Sequence, residues 1–399
     1  MSGTLNRIYN NAGFALTRQS ETLVRLQEQA ATGSRVNRPS DAPSDAFRIL
    51  GLDIQKRSLE NYIGTISNLY DILQTSTTAI GNMMETYEKT RAQLASVTET
   101  DGFIGEAIHA GIIDGYLEDV VLFANWDHSG QYLFGGGDTD SAPFVVERTN
   151  GKITNVTYQG SYENRDVEVA SGVESSAFYV GDDIFRSDER QAPQFLLGTT
   201  GVEAGTGTSS VTGYVWLEIT QPGGAGNPYK LSIDGGSSYA TTANPPTDTN
   251  LAVTHSQTGQ VLYVDATTIT GTGDDLVKVP GTHDVFNTLI TIRDMLENER
   301  GLNSYQLKTL KNDLIQTADT MHSLLVQSSV TTGVKSGMLD NLRNNMGEIK
   351  LNTEDEKTRL EEADISQIAI ELSRHEVLYE MSLAVVGKIL SLSLLDFIS

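Results

Sequence analysis

The stretch ISQIAIELSRHEVLYEMSLAVVGKILSLSLLDFIS, residues 365–399, decides the fold of this chain. Its apolar residues recur at alternating steps of three and four, which is the spacing of a helix that packs along another helix. A second apolar flank runs through Leu383, Leu390 and Phe397. One apolar row is enough for a pair of helices, so the additional flank predicts a helix that packs on several sides.

Residues 4–32 carry a matching pattern near the other end of the sequence. Apolar residues recur along one helical face, Gln19 is a polar gap in that row, and Gly33 follows the last periodic residue as a stop signal;. Because two helices paired alone bury few faces, we predict that both also pack against other subunits. The predicted subunit-interface residues are Leu5, Ile8, Leu16, Leu23, Leu26, Ile365, Ile368, Leu372, Tyr379, Leu383, Val386, Ile389, Leu390, Leu394, Leu395 and Phe397.

Proline positions organise the rest of the chain. All nine prolines lie between residues 39 and 280, and none lies between 44 and 142. Proline costs about 3 kcal/mol in a helix interior, so its absence permits long helices. The apolar spacing predicts helices over about 44–99, 104–127 and 283–299, and a nearly unbroken helix over 302–398 whose weak points are Gly333, Gly337 and Gly347.

The middle of the chain has a different composition. Residues 191–280 contain 16 Thr and 13 Gly, with only Lys230 and Lys278 as basic residues. Short alternating stretches such as GYVWLEIT (213–220), YKLSI (229–233) and QVLYVDATTI (260–269) predict antiparallel strands separated by turns;. The predicted fold class is α+β, in which long paired N- and C-terminal helices form a coiled-coil rod around a central antiparallel β-rich outer region.

These patterns predict four parts. Residues 1–40 and 360–399 form a terminal helical pair, and residues 41–130 and 283–359 form a helical rod domain. Residues 131–192 form a β-rich outer domain, and residues 193–282 form a Thr/Gly-rich β extension or insertion.

Charge and composition exclude several classes of partner. The chain has 28 Lys+Arg and 52 Asp+Glu, a net charge of −24, which disfavours nucleic acid and anionic membranes;. No run of 18 apolar residues exists, so no membrane insertion is predicted;. The first residues lack the pattern of a signal peptide;. Cysteine is absent, which removes disulfides and thiolate chemistry;.

Motifs for catalysis or cofactor binding are not found. His375-Glu376 begins a stretch like H-E-x-x-H, but Tyr379 occupies the position of the second histidine and lies on the apolar row;. GGGDTD (135–140) and GTGDD (271–275) offer too few ligands for a calcium loop and are predicted to be turns, as is GDDIF (181–185);. We therefore predict no enzyme activity, no catalytic residue, no metal site and no cofactor.

Four segments, in this order, resemble the flagellin-like family of bacterial axial proteins. They are LQEQAATGSRVNRPSDAPSDAFRILGL (26–52), GQYLFGGGDTDSAPF (130–144), TYQGSYENRDVEVASGVESSAFYVGDDIF (157–185) and the closing helix (365–399). Within the family, the second and third segments are similar to the hook–filament junction proteins, and flagellin itself usually lacks them. Residues 193–280 have no counterpart in this resemblance.

The resemblance implies a structural adapter that joins the flagellar hook to the flagellin filament. The implied partners are hook-associated protein 1, flagellin, further copies of the chain in a ring or helical lattice, and a flagellar export chaperone. The implied location is extracellular, at the hook–filament junction, after type III export without a cleaved signal peptide.

Two alternatives remain open from the sequence. One is a flagellin filament subunit. The other is a secreted coiled-coil protein with a glycan-binding β domain, in which Tyr214, Trp216, Tyr229 and Tyr239 form an aromatic platform.

Overall fold

A computed structural model describes residues 2–97 and 102–398, apart from the side chains of residues 2–6, 8, 9, 102–106 and 389–398. The predicted α+β class is confirmed: long helices occupy both ends of the described chain, and antiparallel strands lie between them. The helices are α1 (Ser2–Thr32), α2 (Pro43–Ser96), α3 (Gly102–Ala124), α4 (Gly181–Phe185), α5 (Val285–Glu297), α6 (Ser304–Glu361) and α7 (Ile365–Ile398).

The helix predicted to run almost unbroken over 302–398 is interrupted at a place that the prediction missed. Gly333, Gly337 and Gly347 lie inside α6 without ending it. The helix instead ends at Glu361, and α7 begins at Ile365. The break coincides with a β-bridge between Glu362 and Ser34, so a long-range backbone pairing that periodicity does not encode sets the helix boundary.

The strands form small antiparallel sheets. They are β1 (Asp127–His128), β2 (Gln131–Tyr132), β3 (Phe144–Thr149), β4 (Lys152–Tyr158), β5 (Val167–Ala170), β6 (Val173–Ser175), β7 (Gln194–Phe195), β8 (Glu203–Ala204), β9 (Gly213–Thr220), β10 (Lys230–Ser232), β11 (Ala240–Thr241), β12 (Leu251–Thr254), β13 (Val261–Asp265) and β14 (Gly273–Val279). The larger sheets have the orders β11-β10-β9-β14-β7 and β12-β13-β8, and three hairpins pair β1–β2, β3–β4 and β5–β6.

The two larger sheets share one apolar core. Alternate residues of β9, including Leu217 and Ile219, point into it together with Leu231 of β10, Leu262 of β13 and Val277 of β14. This is the alternation expected of a sheet that is buried on one face. Strands β7 and β14 pair with each other, so this β region begins and ends on adjacent strands.

The GDDIF stretch forms helix α4 instead of the predicted turn. Gly181 makes this possible because a Cβ atom there would lie 2.7 Å from the Phe144 ring and 2.8 Å from the Phe134 carbonyl oxygen. Asp182 pairs with Arg186 one helical turn later. The packing of the preceding chain against the glycine, and not the local turn propensity, decides this conformation.

The chain divides into two compact units, one of Met1–Thr65 with Asn341–Ser399 and the other of Ile66–Asp340. The second unit contains the β region and a helical core with fully buried Leu73, Ile80, Leu117, Leu289 and Leu314. No helix among the described residues has the length and apolar character needed to cross a bilayer. The four-part division predicted from the sequence stays a prediction.

Candidate assembly interface

In the first unit, the loop that follows α1 pairs with the segment that precedes α7. Gly33 has a φ of +69°, a conformation that favours glycine, and its N–H closes α1 on the Gln29 carbonyl;. The Gly33 carbonyl then accepts the Ala363 N–H at 3.0 Å, and the Arg35 N–H donates to the Glu361 carbonyl at 2.6 Å. We call residues 33–35 and 361–363 the clasp.

Side chains reinforce the clasp. The Arg35 guanidinium donates to Asp45 at 2.8 Å and to the Leu360 carbonyl at 3.1 Å. The Gln29 amide donates to the Arg35 carbonyl at 2.7 Å. The carboxylate of Asp41 accepts the backbone N–H groups of Asn37 and Arg38, which holds the loop between α1 and α2. Arg35, in the loop after α1, thus contacts both the start of α2 and the end of α6.

A ladder of ion pairs joins α2 to α6 within the same unit. Asp53 pairs with Lys357 at 2.7 Å, Lys56 with Glu354 at 2.9 Å and Glu60 with Lys350 at 3.1 Å. The hydrogen bond from Lys56 lowers the pKa of Glu354, and the hydrogen bond to Asp53 raises the pKa of Lys357. Exposed pairs of this kind stabilise a fold little, so the ladder serves mainly to align the two helices.

Helix α1 packs along α7, and the buried part of their contact is small. Leu26, Ala363 and Ile368 form the buried cluster, and Leu372 packs against it. One heptad from Leu26 and Ile368, Nδ1 of His375 lies 2.7 Å from Oε1 of Gln19. The histidine of the stretch that resembles H-E-x-x-H therefore contacts a glutamine of α1.

The predicted interface residues fall into several groups. Leu26 and Ile368 are buried inside the chain itself. Leu16, Leu23, Leu372, Tyr379 and Val386 are half-buried, whereas Ile365 and Leu383 are exposed. The side chains of the other predicted residues lie outside those described, namely Leu5, Ile8, Ile389, Leu390, Leu394, Leu395 and Phe397. Their predicted role in subunit contacts stays a prediction.

The structure adds an apolar row that the sequence reasoning missed. Val377, Met381 and Val385 follow one another at steps of four on α7 and are 54%, 60% and 54% exposed. Ile370 precedes them by one heptad and is also exposed, and Phe14 is exposed on α1. The step of four was visible in the sequence, but only the packing of α7 on α1 shows that this row has no partner within the described part of the chain.

The four aromatic residues of the glycan-binding alternative each contact another part of the chain. The Tyr214 hydroxyl lies 2.6 Å from both Asp313 and Thr317, and the guanidinium of Arg300 lies 4.5 Å from the centre of the Trp216 ring. The Lys230 ammonium lies over Tyr239. Tyr229 packs against the apolar core. Each ring thus has its own partner inside the chain.

A cleft of about 480 Å³ beside Trp216 is lined by charged side chains. Several of these charges are paired within the chain, since Lys152 contacts Glu297 and Arg300 contacts Asp274, both at 2.5 Å. Across the residues with described side chains, no three histidines or carboxylates converge on a position that could hold a metal ion.

Sequence comparisons connect the helical part of the chain to flagellar proteins. Residues 5–136 match the family described as the bacterial flagellin N-terminal helical region. The chain is 28% identical over 185 residues to flagellar hook-associated protein 3 of Escherichia coli (strain K12), an alignment that covers 43% of this chain and 53% of that relative. The chain therefore spans about half the length of this curated relative.

Three solved structures were similar to this chain, and the first of them shares its fold. A structure described as a flagellar hook-associated protein from Vibrio parahaemolyticus superposes with a TM-score of 0.50 at 14% identity, covering 81% of this chain and 100% of that chain. FlgL from Xanthomonas campestris gives a TM-score of 0.47 at 18% identity, covering 73% of this chain and 99% of that one. FlgL from Legionella pneumophila gives 0.48 at 15% identity, with 78% and 99% covered.

These findings confirm the resemblance predicted from the sequence: the chain is similar to the flagellin-like proteins over its N-terminal helical region. More narrowly, the curated relative that it resembles is flagellar hook-associated protein 3.

Proposed function

We propose that this chain is a non-catalytic structural adapter that joins the flagellar hook to the flagellin filament. The observation that supports it best is the unpartnered apolar row Val377, Met381 and Val385 on α7. A contiguous exposed apolar surface marks an interaction site, and it stands out on a chain with a net charge of −24;. A helix with one face on α1 and another left bare fits a subunit that completes its burial in a lattice.

Because the helix pair buries little apolar surface by itself, we infer that its full ordering depends on contact with neighbouring subunits. Ordering backbone costs about 1–2 kcal/mol per residue, and apolar burial returns about 25 cal/mol per Å². Among the described side chains, the buried cluster at their contact consists of Leu26, Ala363 and Ile368, which returns little of this cost. The terminal helices therefore order fully only where neighbouring subunits offer several surfaces at once, which is the edge of a growing axial structure.

The proposed partners follow from this arrangement and from the resemblance. Hook-associated protein 1 supplies the surface on the hook side, flagellin adds on the filament side, and further copies of this chain lie beside it in a ring or helical lattice. An export chaperone covers the apolar row of α7 before export. The protein then resides outside the cell at the junction.

Deletion of the gene tests the proposal against its rivals. We expect cells with hooks but no filaments, without motility, and with soluble flagellin in the medium, because flagellin is exported but meets no edge on which to order its own ends. Electron microscopy and an immunoblot of the culture supernatant measure both outcomes.

Other results of the same experiment would contradict the adapter. Loss or shortening of filaments without leaked flagellin indicates that this chain is itself a flagellin, in keeping with the match of residues 5–136. Filaments of normal length and number would indicate that the protein has no role in assembling the filament. Immunogold labelling separates the first two cases, since an adapter gives one band beside the hook and a flagellin labels the whole filament.

A further inference from the structure

Helix α1 carries a basic face on an otherwise acidic chain. Residues 1–40 contain five Arg and two Glu, a net charge of +3, whereas the whole chain has a net charge of −24. Arg18 and Arg25 are exposed, and neither forms an ion pair with a described residue. Phe14, one turn before Arg18, is 81% exposed. At about 100° per residue, these three positions fall within a sector of about 40°, so they form one face of the helix.

The last part of α6, in the first unit, carries a face of opposite sign. Glu348 and Asp355 are seven positions apart, and Arg359 follows four positions later. All three are exposed, form no ion pair with a described residue, and fall within a sector of about 40°;. Lys350 and Lys357, which pair with α2, each follow an acid by two positions and therefore lie on the opposite side of α6;.

The two faces have the same spacing when they are read in opposite directions. From Arg25 towards the N-terminus, the α1 face has steps of seven and four residues. From Glu348 towards the C-terminus, the α6 face has the same steps. Because both helices rise equally per residue, antiparallel packing brings all three positions of each face into register. The resulting pairs are Arg25 with Glu348, Arg18 with Asp355, and Phe14 with Arg359.

We propose that the basic face of α1 in one copy packs antiparallel on this face of α6 in a second copy of the chain. Two of the three pairs join opposite charges, and in the third a guanidinium meets an aromatic ring, which is also favourable. Within one copy both faces stay exposed, so each finds its complement outside that copy. Parallel packing on the Arg18–Asp355 pair would instead carry Arg25 beyond the end of α6 at Glu361.

The other charges near the α1 face fit the antiparallel register. Glu21 falls opposite Asn352, whose amide can donate to the carboxylate, and Arg7 falls beyond the end of α6. Exposed ion pairs add little affinity, so their main effect is to fix the register and to exclude other alignments between two acidic chains.

The contact is heterologous, since each copy offers α1 to one neighbour and α6 to another. Such contacts build rings or helical assemblies instead of closed dimers. Their place in a flagellar lattice rests on the proposed function, whereas the contact between two copies does not.

Disulfide trapping between purified full-length chains tests the contact, since the sequence contains no cysteine of its own. One chain carries Arg18→Cys, the other carries Asp355→Cys, and a tag on one chain distinguishes the products by size. Ser20→Cys, exposed on the far side of α1, replaces Arg18→Cys in the matched control. Because a disulfide needs its two Cβ atoms within about 4.5 Å, we expect the 18–355 product to exceed the 20–355 product about tenfold. Brief oxidation and non-reducing electrophoresis measure this ratio.

A charge exchange at the neighbouring pair tests the register. Arg25→Glu, added to the Arg18→Cys chain, places two acids opposite each other, and we expect the 18–355 yield to fall about tenfold. Glu348→Arg in the Asp355→Cys chain should restore most of that yield. Gln27→Glu adds the same charge at an exposed position on the other side of α1 and should leave the yield unchanged.

Each outcome decides for or against the proposal. An 18–355 yield no higher than the 20–355 control, or no higher than the 18–18 and 355–355 products, overturns it, as does a lack of rescue by Glu348→Arg. Trapping of flagellin by the Arg18→Cys chain in place of a second copy also overturns it. The melting transition of each variant verifies folding. Because trapping uses purified chains, failure of the adapter function in cells leaves this result standing, and the reverse also holds.

Discussion

The terminal helix pair and the β region of residues 194–279 differ in how many of their apolar side chains are buried within the chain. The β region buries eleven apolar residues in one core, whereas among the described side chains the cluster at the α1–α7 contact buries three, Leu26 of α1, Ile368 of α7 and Ala363 of the clasp. In the β region even a buried carboxylate is paired, since Asp275 accepts the N–H groups of Leu197 and Gly198 at 3.0 and 3.3 Å. Its burial raises its pKa, and these donors oppose that shift.

This difference indicates which contacts stabilise each region. The β region is stabilised by contacts already inside the chain, and its substitutions should affect folding. The helix pair leaves apolar rows exposed, and its substitutions should affect assembly. Four experiments can break or sharpen this contrast.

The largest effect is expected from a charge on the free surface of α7. Leu383→Asp should abolish incorporation into the flagellum, because burying an unpaired charge costs several kcal/mol. The melting temperature of the free chain should change by no more than about 2 °C, since Leu383 is exposed there;. Incorporation is measured by immunoblotting purified hook–filament structures.

Leu117→Ala is the matched control in the core of the second unit. Leu117 is fully buried, so the free energy of unfolding should fall by about 2–5 kcal/mol while variants that fold still assemble;. A large drop in melting temperature for Leu383→Asp would show instead that this residue belongs to the chain's own core.

Hydrogen exchange should show the next largest contrast. We expect amides of residues 2–18 and 379–398 to exchange at least about 100-fold faster in the monomer than those of residues 66–94 and 285–296, because opening the terminal pair exposes little buried surface. Intermediate protection should mark residues near the clasp. Equal protection at the termini and in the core of a verified monomer would remove the distinction.

A smaller effect concerns pH and falls on the second unit. His283 is buried beside the Tyr214 ring, and neither ring nitrogen forms a hydrogen bond to the described residues. Burial lowers the pKa of His283 to about 4, with a further lowering from Lys278 and an opposing effect from Asp313. The unfolded chain, with an ordinary histidine pKa near 6.5, therefore binds the proton first as the pH falls.

The contribution of His283 to stability is complete above about pH 6.5 and is lost as the pH falls toward 4. The expected loss is roughly 3 kcal/mol from a shift of this size. Urea unfolding at several pH values measures it, and His283→Gln should remove most of the slope between pH 6.5 and 4. An identical slope in that variant would assign the pH dependence to other groups.

The smallest effect is expected from removal of the β region. The Gln191 N–H donates to the Pro280 carbonyl at 2.9 Å, so a short linker can replace the residues between them;. Asp313 would lose its contacts with Tyr214 and Lys278, which predicts a modest drop in melting temperature. We expect export and assembly to continue. A folded variant that never reaches the hook would show that the region makes an essential contact.

The spacing of apolar residues predicted helices and strands well where an element buries only one of its faces. The strand predicted at 213–220 is β9, and the helix predicted over 44–99 is α2. The break between Glu361 and Ile365 was not predictable, because it depends on pairing with Ser34 more than 300 residues away. Helix α4 was missed for a similar reason, since Gly181 packs against Phe144 and Phe134 from an earlier part of the chain.

The candidate interface was only partly accessible from the sequence. The apolar seam was visible, and so were Gln19 and His375 as two separate polar residues in it. That they contact each other follows only from the antiparallel packing of α1 on α7. Which apolar row is covered also depends on that packing, so Val377 and Met381 could not be separated from the covered residues by spacing alone.

The clasp has a consequence for timing. Arg35 and Leu360 are 325 positions apart, so the two halves of the clasp can meet only after all the residues between them have been synthesised. The entropy cost of closing a loop grows only slowly with its length, so the long separation itself adds little to the cost of closing the clasp. A truncated product lacking residues 361–363 cannot close the clasp.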